Sequence, residues 1–525
     1  MNKIKRFFLT FALLLPFTGG EVYAQEHFAT GAPSREVQPR GGAVHTQDYY
    51  AITLEEALVL ARTQSPDAIR ARNTFLVQYW RFRSYRASFL PSLSFDATFP
   101  SFSRQIISVT SLDPETGEVR HDFSSDFSNQ ISGGFFVRQN LPTGGVLSLG
   151  SSLSRIDRFR EGLSNRIATE YMSTPLNVSL NQSLFGVNQR KWDKQIEPLY
   201  YQEAKRSYIK QMEDLSQSVI TYFFNLASAQ QGVSIAEFNQ ANNDTLVKIA
   251  HGRYQMGTID ESDLLQSELN YSNACSTLNE ALLNIENQQN RFRSFLGFNE
   301  RTEVRTLLPD HVPELALSVD EVLFLAKENN PTLLNQQIQL IQAARNVALQ
   351  RANRGFSADL NLSFGLNQVA DNLTEVYRNP RDMQTVRIGL SIPILDWGRG
   401  KGLVKMAQAD QELVKARVGQ ALIDFEQEVV LSVRQFNMQR HQFGIALKSD
   451  TLAQRRYEVA KQRFLMDRIS ITDMNNAQID RDRSRQNYVD ALYKYWLYYY
   501  RIRQTAQYDF FLRKALEVDF EELVR

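Results

Sequence analysis

Six histidines, one cysteine and one glycine-rich run are the residues from which catalytic or metal chemistry could be built. The histidines stand at 27, 45, 121, 251, 311 and 441, and these positions match no metal-ligand spacing on a helix or a hairpin. Cys275 has no second thiol to pair with, which excludes a disulfide framework and favours a small half-buried residue in a helix. Gly398-Arg399-Gly400-Lys401-Gly402 looks like a phosphate loop but lacks its spacing and the Ser or Thr that must follow the lysine. A flexible strand-to-helix joint suits it better. No Ser/His/Asp constellation and no glycine-flanked nucleophile occur, so the expectation is a non-enzyme without metal or cofactor.

Composition narrows the class further. Lysines and arginines number 59 against 58 aspartates and glutamates, a net charge of +1, and no basic run alternates with aromatics. Nucleic acid is therefore not an expected partner. Mean hydropathy is −0.37. Lys3, Lys5 and Arg6 precede an apolar run from Phe7 to Leu15, and Val22-Tyr23-Ala24 offers a small-residue cleavage site, the pattern of a secretory signal peptide. No cysteine near that site suggests a lipid anchor. Beyond it no apolar run reaches the roughly 18 residues of a membrane-spanning helix.

The elements that would position any functional residue come from a tandem duplication. Residues 180–263 lie over 390–473 at a constant offset of 210, setting Leu180 on Leu390, Lys191 on Lys401, Arg253 on Arg463 and Asp263 on Asp473. Upstream, residues 53–61 with Pro66 match 318–326 with Pro331 at an offset of 265. Subtracting 210 from 265 leaves 55 residues that only the first half carries.

Each half opens with a short helix. Thr53 with Glu56 and Ser318 with Glu321 fit the capping box, and Pro66 and Pro331 end these helices and begin the next. The period then changes to alternation at Leu93, Phe95, Ala97 and Phe99; Phe135 and Val137; Leu147, Leu149 and Leu153; Leu176, Val178 and Leu180; Leu360, Leu362, Phe364 and Leu366; and Val386, Ile388, Leu390, Ile392 and Ile394. These six segments read as strands of about eight to ten residues with one apolar and one polar face. In a secreted chain without apolar helices, that is the pattern of an outer-membrane barrel, with a soluble β-sandwich as the competing reading. Four segments lie in the first half and two in the second, so the extra 55 residues read as an inserted hairpin plus loop.

The strands lead into helical stretches from about Asn188 to Met256 and from about Gly398 to Met466, each roughly 100 Å long at about 1.5 Å per residue. Leu215, Val219, Tyr222, Leu226, Ala229, Val233 and Ala236 step by four and three as a heptad seam. The second half places Phe425, Val429, Ser432, Phe436, Gln439, Phe443 and Ala446 there, which predicts looser or partly wet packing. Breaks at 257–262 and 467–472 fold each chain back into a helix ending near Leu296 and Gln504. The chain divides into a signal peptide (1–24), a leader (25–50), a first repeat (51–300), a linker (301–316), a second repeat (317–505) and a C-terminal tail (506–525). Because strand edges cannot stay unpaired in lipid, several copies should pool their strands.

The residues resemble the TolC-like outer membrane factors of tripartite efflux pumps and type I secretion systems. The resemblance covers nearly all of the mature chain and rests on the duplication, the Leu390-Ser391-Ile392-Pro393-Ile394-Leu395-Asp396-Trp397-Gly398 junction, and the tips 257–265 and 468–474. Residues 139–145 look like members from the Bacteroides group. It implies an α+β membrane protein: a homotrimer sharing an outer-membrane β-barrel and a long α-helical coiled-coil periplasmic barrel, with an equatorial belt of short helices. It also implies a periplasmic adaptor, an inner-membrane pump and lipid as partners, and a closed tip that opens when the adaptor docks. The family barrel takes four strands per subunit, whereas six are counted here; they would make eighteen in a trimer unless the extra pair folds elsewhere.

Family members ring the closed tip with two aspartates three residues apart, a spacing that falls here on Asp473 and Asn476. Three copies of Asp473 around an aperture would bind cations and repel anions. Alternatively Asp473 caps the returning helix, as Asp263 would in the first half. Tyr254, Gln255, Met256, Gly257 and Thr258, with Leu465, Met466, Asp467 and Arg468, resemble the adaptor-contact grooves. A periplasmic coiled-coil scaffold without channel activity, or a secreted surface hydrolase, stand as alternatives from other classes.

Overall fold

A computed structural model describes residues 50–112, 117–160, 164–298, 303–309, 312–466 and 468–525. The signal peptide, the leader up to residue 49, His27, His45, His311 and Asp467 lie outside the described residues.

The first half begins with β1 (Tyr50–Thr53), α1 (Leu54–Gln64) and α2 (Pro66–Ala87), then four strands, β2 (Ser92–Leu112), β3 (Val119–Asn140), β4 (Val146–Arg160) and β5 (Ser164–Ser183). The long helix α3 (Gln189–Gln255) and its return α4 (Glu261–Leu296) follow, then β6 (Val304–Leu307). The second half repeats the plan with α5 (Val319–Asn329), α6 (Pro331–Arg354), β7 (Ser357–Ala370), β8 (Arg381–Ser391), α7 (Arg399–Leu465) and α8 (Ile471–Ala506), and closes with β9 (Tyr508–Asp509), β10 (Lys514–Ala515) and α9 (Phe520–Val524). Both long helices have 67 residues and both returning helices 36. The offset of 210 in the sequence is thus a pair of hairpins of equal length.

Local signals explain most boundaries. The Thr53 hydroxyl accepts from the Glu56 amide at 3.3 Å while the Glu56 carboxylate accepts from the Thr53 amide at 3.0 Å, completing the capping box. The matching box at Ser318 does not form: its side chain makes no capping bond, so α5 relies on packing of Val322 and Ala326. Pro66 and Pro331 each take the first helical position, where the missing N–H costs nothing.

All six predicted strands join one antiparallel sheet in the order β2-β3-β4-β5-β7-β8. They run longer than the expected eight to ten residues, from 11 in β8 to 22 in β3. The alternation of large apolar side chains stops earlier than the pairing does, because Ser, Thr and Asn continue the ladder without a hydrophobic mark. At the other end β8 stops at Ser391, and Ile392 to Ile394 leave the sheet at Pro393, which cannot donate to a ladder.

A single copy does not close this sheet, since β2 and β8 each have only one neighbour. β2 and β7 begin at Ser92 and Ser357, still at the upstream offset of 265. The extra residues therefore lie beyond that point, where β3 and β4 stand between β2 and β5.

The main core lies where the short helices pack around the middle of α3 and α7 and the C-terminal parts of α4 and α8. Phe223, Phe224, Phe292, Phe436, Tyr495 and Tyr499 are buried there with Ala57 and Ala326. In this zone β1 pairs in parallel with β6, tying the start of the first repeat to the connection between repeats. The C-terminal segment buries Phe510 in this core and carries Phe520 to a second cluster, where it packs 5.0 Å from Phe75 beside Ala204 and Tyr208. Buried Glu213 is held between Arg62 at 2.8 Å and Arg503 at 3.0 Å. Ser432 and Gln439, in the seam for which looser or partly wet packing is expected, are buried with Val429 and Phe436, while Phe443 and Ala446 beyond them are half-buried. Among the described residues, no helix is long and apolar enough to cross a membrane.

Candidate functional site: an amphipathic sheet and a two-hairpin tip

Cross-strand register sorts the sheet into chemically uniform rows. Leu93 pairs with Val137, Val137 with Leu149, Leu149 with Val178 and Val178 with Phe364, an apolar row across five strands. One residue along each strand, Ser92, Arg138, Ser148, Ser179, Ser363 and Thr385 form a polar row across all six. Because successive side chains point to opposite faces, one face is apolar and the other polar. The polar face carries Arg138, which holds Asp96 at 2.7 Å. A close approach needs glycine here: a Cβ on Gly150 would lie 2.6 Å from the Phe136 ring.

At the sheet-to-helix joint, Trp397 takes a left-handed φ of 53° and Gly398 one of 86°. The Asp396 carboxylate accepts from the Gly400 amide at 2.8 Å and the Gly398 amide at 2.9 Å, and these bonds hold its pKa below the usual carboxylate value. The run 398–402 is thus the start of α7, capped by Asp396, in agreement with its reading as a joint.

At the far end the two hairpin tips turn in the same way. The Thr258 amide donates to the Arg253 carbonyl at 2.9 Å, and at the matched position the Arg468 amide donates to the Arg463 carbonyl at 2.9 Å. Gly257 supplies the left-handed φ of 71° in the first turn. Tyr254, Gln255, Met256, Gly257 and Thr258 are all exposed, as are Leu465, Met466 and Arg468. Met256 and Met466 stand 71% and 56% exposed, apolar groups left without a partner in the single chain.

Asp473 is the third-residue partner in a capping box whose cap is Ser470. Its amide donates to the Ser470 hydroxyl at 3.1 Å, and its carboxylate accepts from that hydroxyl at 2.8 Å and from the Ser470 amide at 3.4 Å. In the first hairpin the capping residue is Asp260, not Asp263; Asp263 donates its amide to Asp260 at 3.0 Å. A helix is capped by the residue before its first turn, so the caps are Asp260 and Ser470, and Asp263 and Asp473 hold equivalent places three residues on; only Asp473 returns a carboxylate bond to its cap. Asp473 and Asn476 remain exposed on one face of α8, while Met474, Ala477 and Gln478 turn inward.

Sequence reasoning did not identify the seam that joins the hairpins. Leu246 of α3 packs with Phe464 of α7 and Met474 of α8, beside a cleft of about 150 Å³ lined by Arg253, Asp263, Ser267 and Ile469. Further from the tip, α3 and α8 are joined by polar contacts: Asn242 to Gln478 at 3.0 Å, Asn239 to Asp482 at 2.7 Å and Gln217 to Gln504 at 3.1 Å. The Arg481 guanidinium lies 4.3 Å from the Phe238 ring and 4.4 Å from that of Tyr457, while donating to Asn239 at 3.2 Å. Gln478, Arg481, Asp482 and Arg485 recur at helical spacing, and that polar stripe was the available signal. Among the described residues no group of His, Cys, Asp and Glu could hold a metal ion.

Comparison with known proteins places this architecture. The family model for outer membrane efflux proteins matches residues 146–298 and 322–504. The multidrug resistance outer membrane protein MdtQ of Shigella flexneri, termed putative, is 21% identical over 59% of this chain and 64% of its own length. The match thus spans less than two thirds of that relative. The outer membrane efflux protein BepC of Brucella suis is 22% identical over 60% of this chain and 68% of its own. The CmeC outer membrane channel of Campylobacter jejuni superposes with a TM-score of 0.61 at 16% identity, covering 90% of this chain and 89% of that one. VceC of Vibrio cholerae gives 0.59 at 13% identity, covering 88% and 97%.

Proposed function

This chain belongs to the outer membrane efflux protein family and is an outer-membrane protein with a periplasmic extension, and from that premise we propose that three copies form an exit duct. The duct carries solutes delivered by an inner-membrane pump across the periplasm and out of the cell. In this reading the apolar face of the sheet meets lipid, the polar face lines the lumen, and α3, α4, α7 and α8 of each copy build the periplasmic tube.

The observation that carries the proposal is the pair of neighbouring rows, one apolar from Leu93 to Phe364 and one polar from Ser92 to Thr385. A sheet of one apolar and one polar face is what a lipid-embedded, water-lined wall requires. The strands continue into helices of 67 residues, roughly 100 Å long, enough to extend far below the membrane.

The tips supply the gate in this reading. Asp473 and Asn476 face the aperture, where three carboxylates bind cations, and capping by Ser470 fixes the carboxylate at the helix start. The exposed turn residues, Met256 and Met466 among them, receive the helical hairpin of a periplasmic adaptor, since unpaired flexible apolar side chains suit helix recognition.

The test is export by a strain lacking this gene, complemented with the chain together with its neighbouring adaptor and pump. Restored export, with crosslinks from cysteines at Met256 and Met466 to the adaptor, is expected. A mature protein that stays soluble without detergent and conducts no ions in planar bilayers would replace the duct with a periplasmic scaffold.

A further inference from the structure

We infer that all six strands of each copy enter the barrel wall, so that three copies close an eighteen-stranded barrel through pairing of β8 with β2 of the next copy. The inference rests on the trimeric duct proposed above and goes beyond it, because the resemblance that suggested a duct implies four strands per subunit.

Three observations support membership of the inserted pair. First, β3 and β4 occupy the second and third places of the sheet, between β2 and β5. Removing them from the wall would break 19 registered residue pairs between β2 and β3 and 13 between β4 and β5. Second, the inserted strands carry the same two-faced chemistry as the others. Val137 and Leu149 continue the apolar row, and Arg138 and Ser148 continue the polar one. A hairpin folded over the lumen or lying in water would have no need of an apolar face in register with its neighbours. Third, β4 has 15 residues, above the roughly 9–11 that a strand needs to span a bilayer.

Closure by a second copy follows from the edges. An antiparallel sheet of six strands ends on strands of opposite direction, so β8 of one copy meets β2 of the next antiparallel. On the two edge strands, apolar side chains stand open: Leu93 of β2 is 70% and Val386 of β8 63% exposed, against 41% and 37% for Leu149 and Val178 inside the sheet. Open edges cannot remain unpaired in hydrocarbon, and a second copy of this chain offers a complementary edge of the same facial pattern. β8 has only 11 residues, about one membrane thickness, so it covers the helix-proximal half of β2 and leaves the rest standing above the membrane.

Barrel diameter grows roughly in proportion to strand number. Eighteen strands give a lumen about one and a half times as wide as twelve, and about twice the cross-section, at the outer membrane.

The experiment is electron cryomicroscopy of the full mature protein in lipid nanodiscs, with strands counted in the wall. Six per copy, and eighteen in a trimer, is expected. Three copies enclosing twelve strands, with 119–160 outside the wall, would overturn the inference and leave the duct intact. A different copy number at six strands each would support six-strand membership and overturn the trimer. A second measurement does not depend on the map: nitroxides at Leu149→Cys and Ser148→Cys, in a Cys275→Ser background, should report oxygen access at 149 and aqueous nickel-chelate access at 148. Equal aqueous access at both positions would place the inserted hairpin outside the lipid and overturn the inference.

Discussion

The guanidinium of Arg481 in the second hairpin lies 4.3 Å from the ring of Phe238 in the first. It also lies 4.4 Å from Tyr457, donates to Asn239 at 3.2 Å and pairs with Asp482 through a 2.8 Å bond from its Nε. One side chain therefore fastens three helices of one copy. Because the Arg481 and Asp482 side chains are only 10% and 15% exposed, solvent screens the pair little. Arg481→Ala is expected to destabilise the purified protein by about 3 kcal/mol, as removal of one partner of a buried pair does. In bilayer recordings it should raise the frequency of open events, because the hairpins are freed from each other near the tip. An unchanged melting temperature together with unchanged opening would mean that Leu246, Phe464 and Met474 alone hold the seam.

Charge and capping at Asp473 can be separated by two substitutions. Asp473→Asn keeps a carbonyl oxygen that can accept from Ser470 but removes the charge; Asp473→Ala removes both. Both variants should lose divalent-cation block of the channel. Both should weaken the start of α8 through loss of the first-turn charge, by up to about 1 kcal/mol, and the alanine variant more, because it also loses the bond back to Ser470. Block retained in both would remove Asp473 from the aperture and leave it as a capping-box partner alone.

Much of this fold was legible because its strongest signals are periodic and repeated. A gapless offset of 210 can only persist if two segments keep the same length, and α3 and α7 indeed have 67 residues each. Alternation at Leu93 to Phe99 or at Val386 to Leu390 marked the strands by their apolar face. It could not mark where they end, because the ladder continues through serine and threonine. Capping was read correctly at Thr53, where hydroxyl and carboxylate close the box. It failed at Ser318, whose motif is present but whose side chain makes no capping bond. The seam at Arg481 went unread for a different reason: polar residues inside a helix pair look like a solvated face until the aromatic rings of Phe238 and Tyr457, distant in sequence, are placed over them.

The C-terminal strap should respond to acid through Asp509. Burial works to raise its pKa, but the Leu512 amide, the Tyr499 hydroxyl, Arg503 and the Phe511 amide together hold it below the ordinary carboxylate value. A group depressed in the folded state stabilises above its unfolded pKa, near 4, and that contribution is lost as pH falls below it. Protection of residues 507–525 against hydrogen exchange, taken relative to the intrinsic exchange rate at each pH, should therefore fall as the pH drops below about 4. Asp509→Asn should exchange fast at pH 7 and show a flatter acid response than the parent. Taking the difference between the two proteins isolates Asp509 from Glu213, whose pKa burial raises against the pull of Arg503 and Arg62. An identical acid response in both proteins would shift the effect to another carboxylate.

On α7, Leu431, Met438, Ile445, Leu452 and Val459 follow one another at intervals of seven, and each is exposed in the single copy. A seven-residue apolar stripe calls for a facing helix, and within the copy the buried seam of α7 uses a different set, Phe425, Val429, Ser432, Phe436 and Gln439. In the proposed duct, the exposed stripe would supply the surface on which the periplasmic tube closes between copies. Met438→Glu combined with Ile445→Glu places two charges where apolar contact is needed and should convert the trimer to smaller species, read by native mass spectrometry in detergent. The same change at Arg455 and Lys448, exposed charged positions of the same helix, should leave the assembly intact. Trimer retained in the Met438/Ile445 variant would show that the stripe faces the periplasm and that another surface joins the copies.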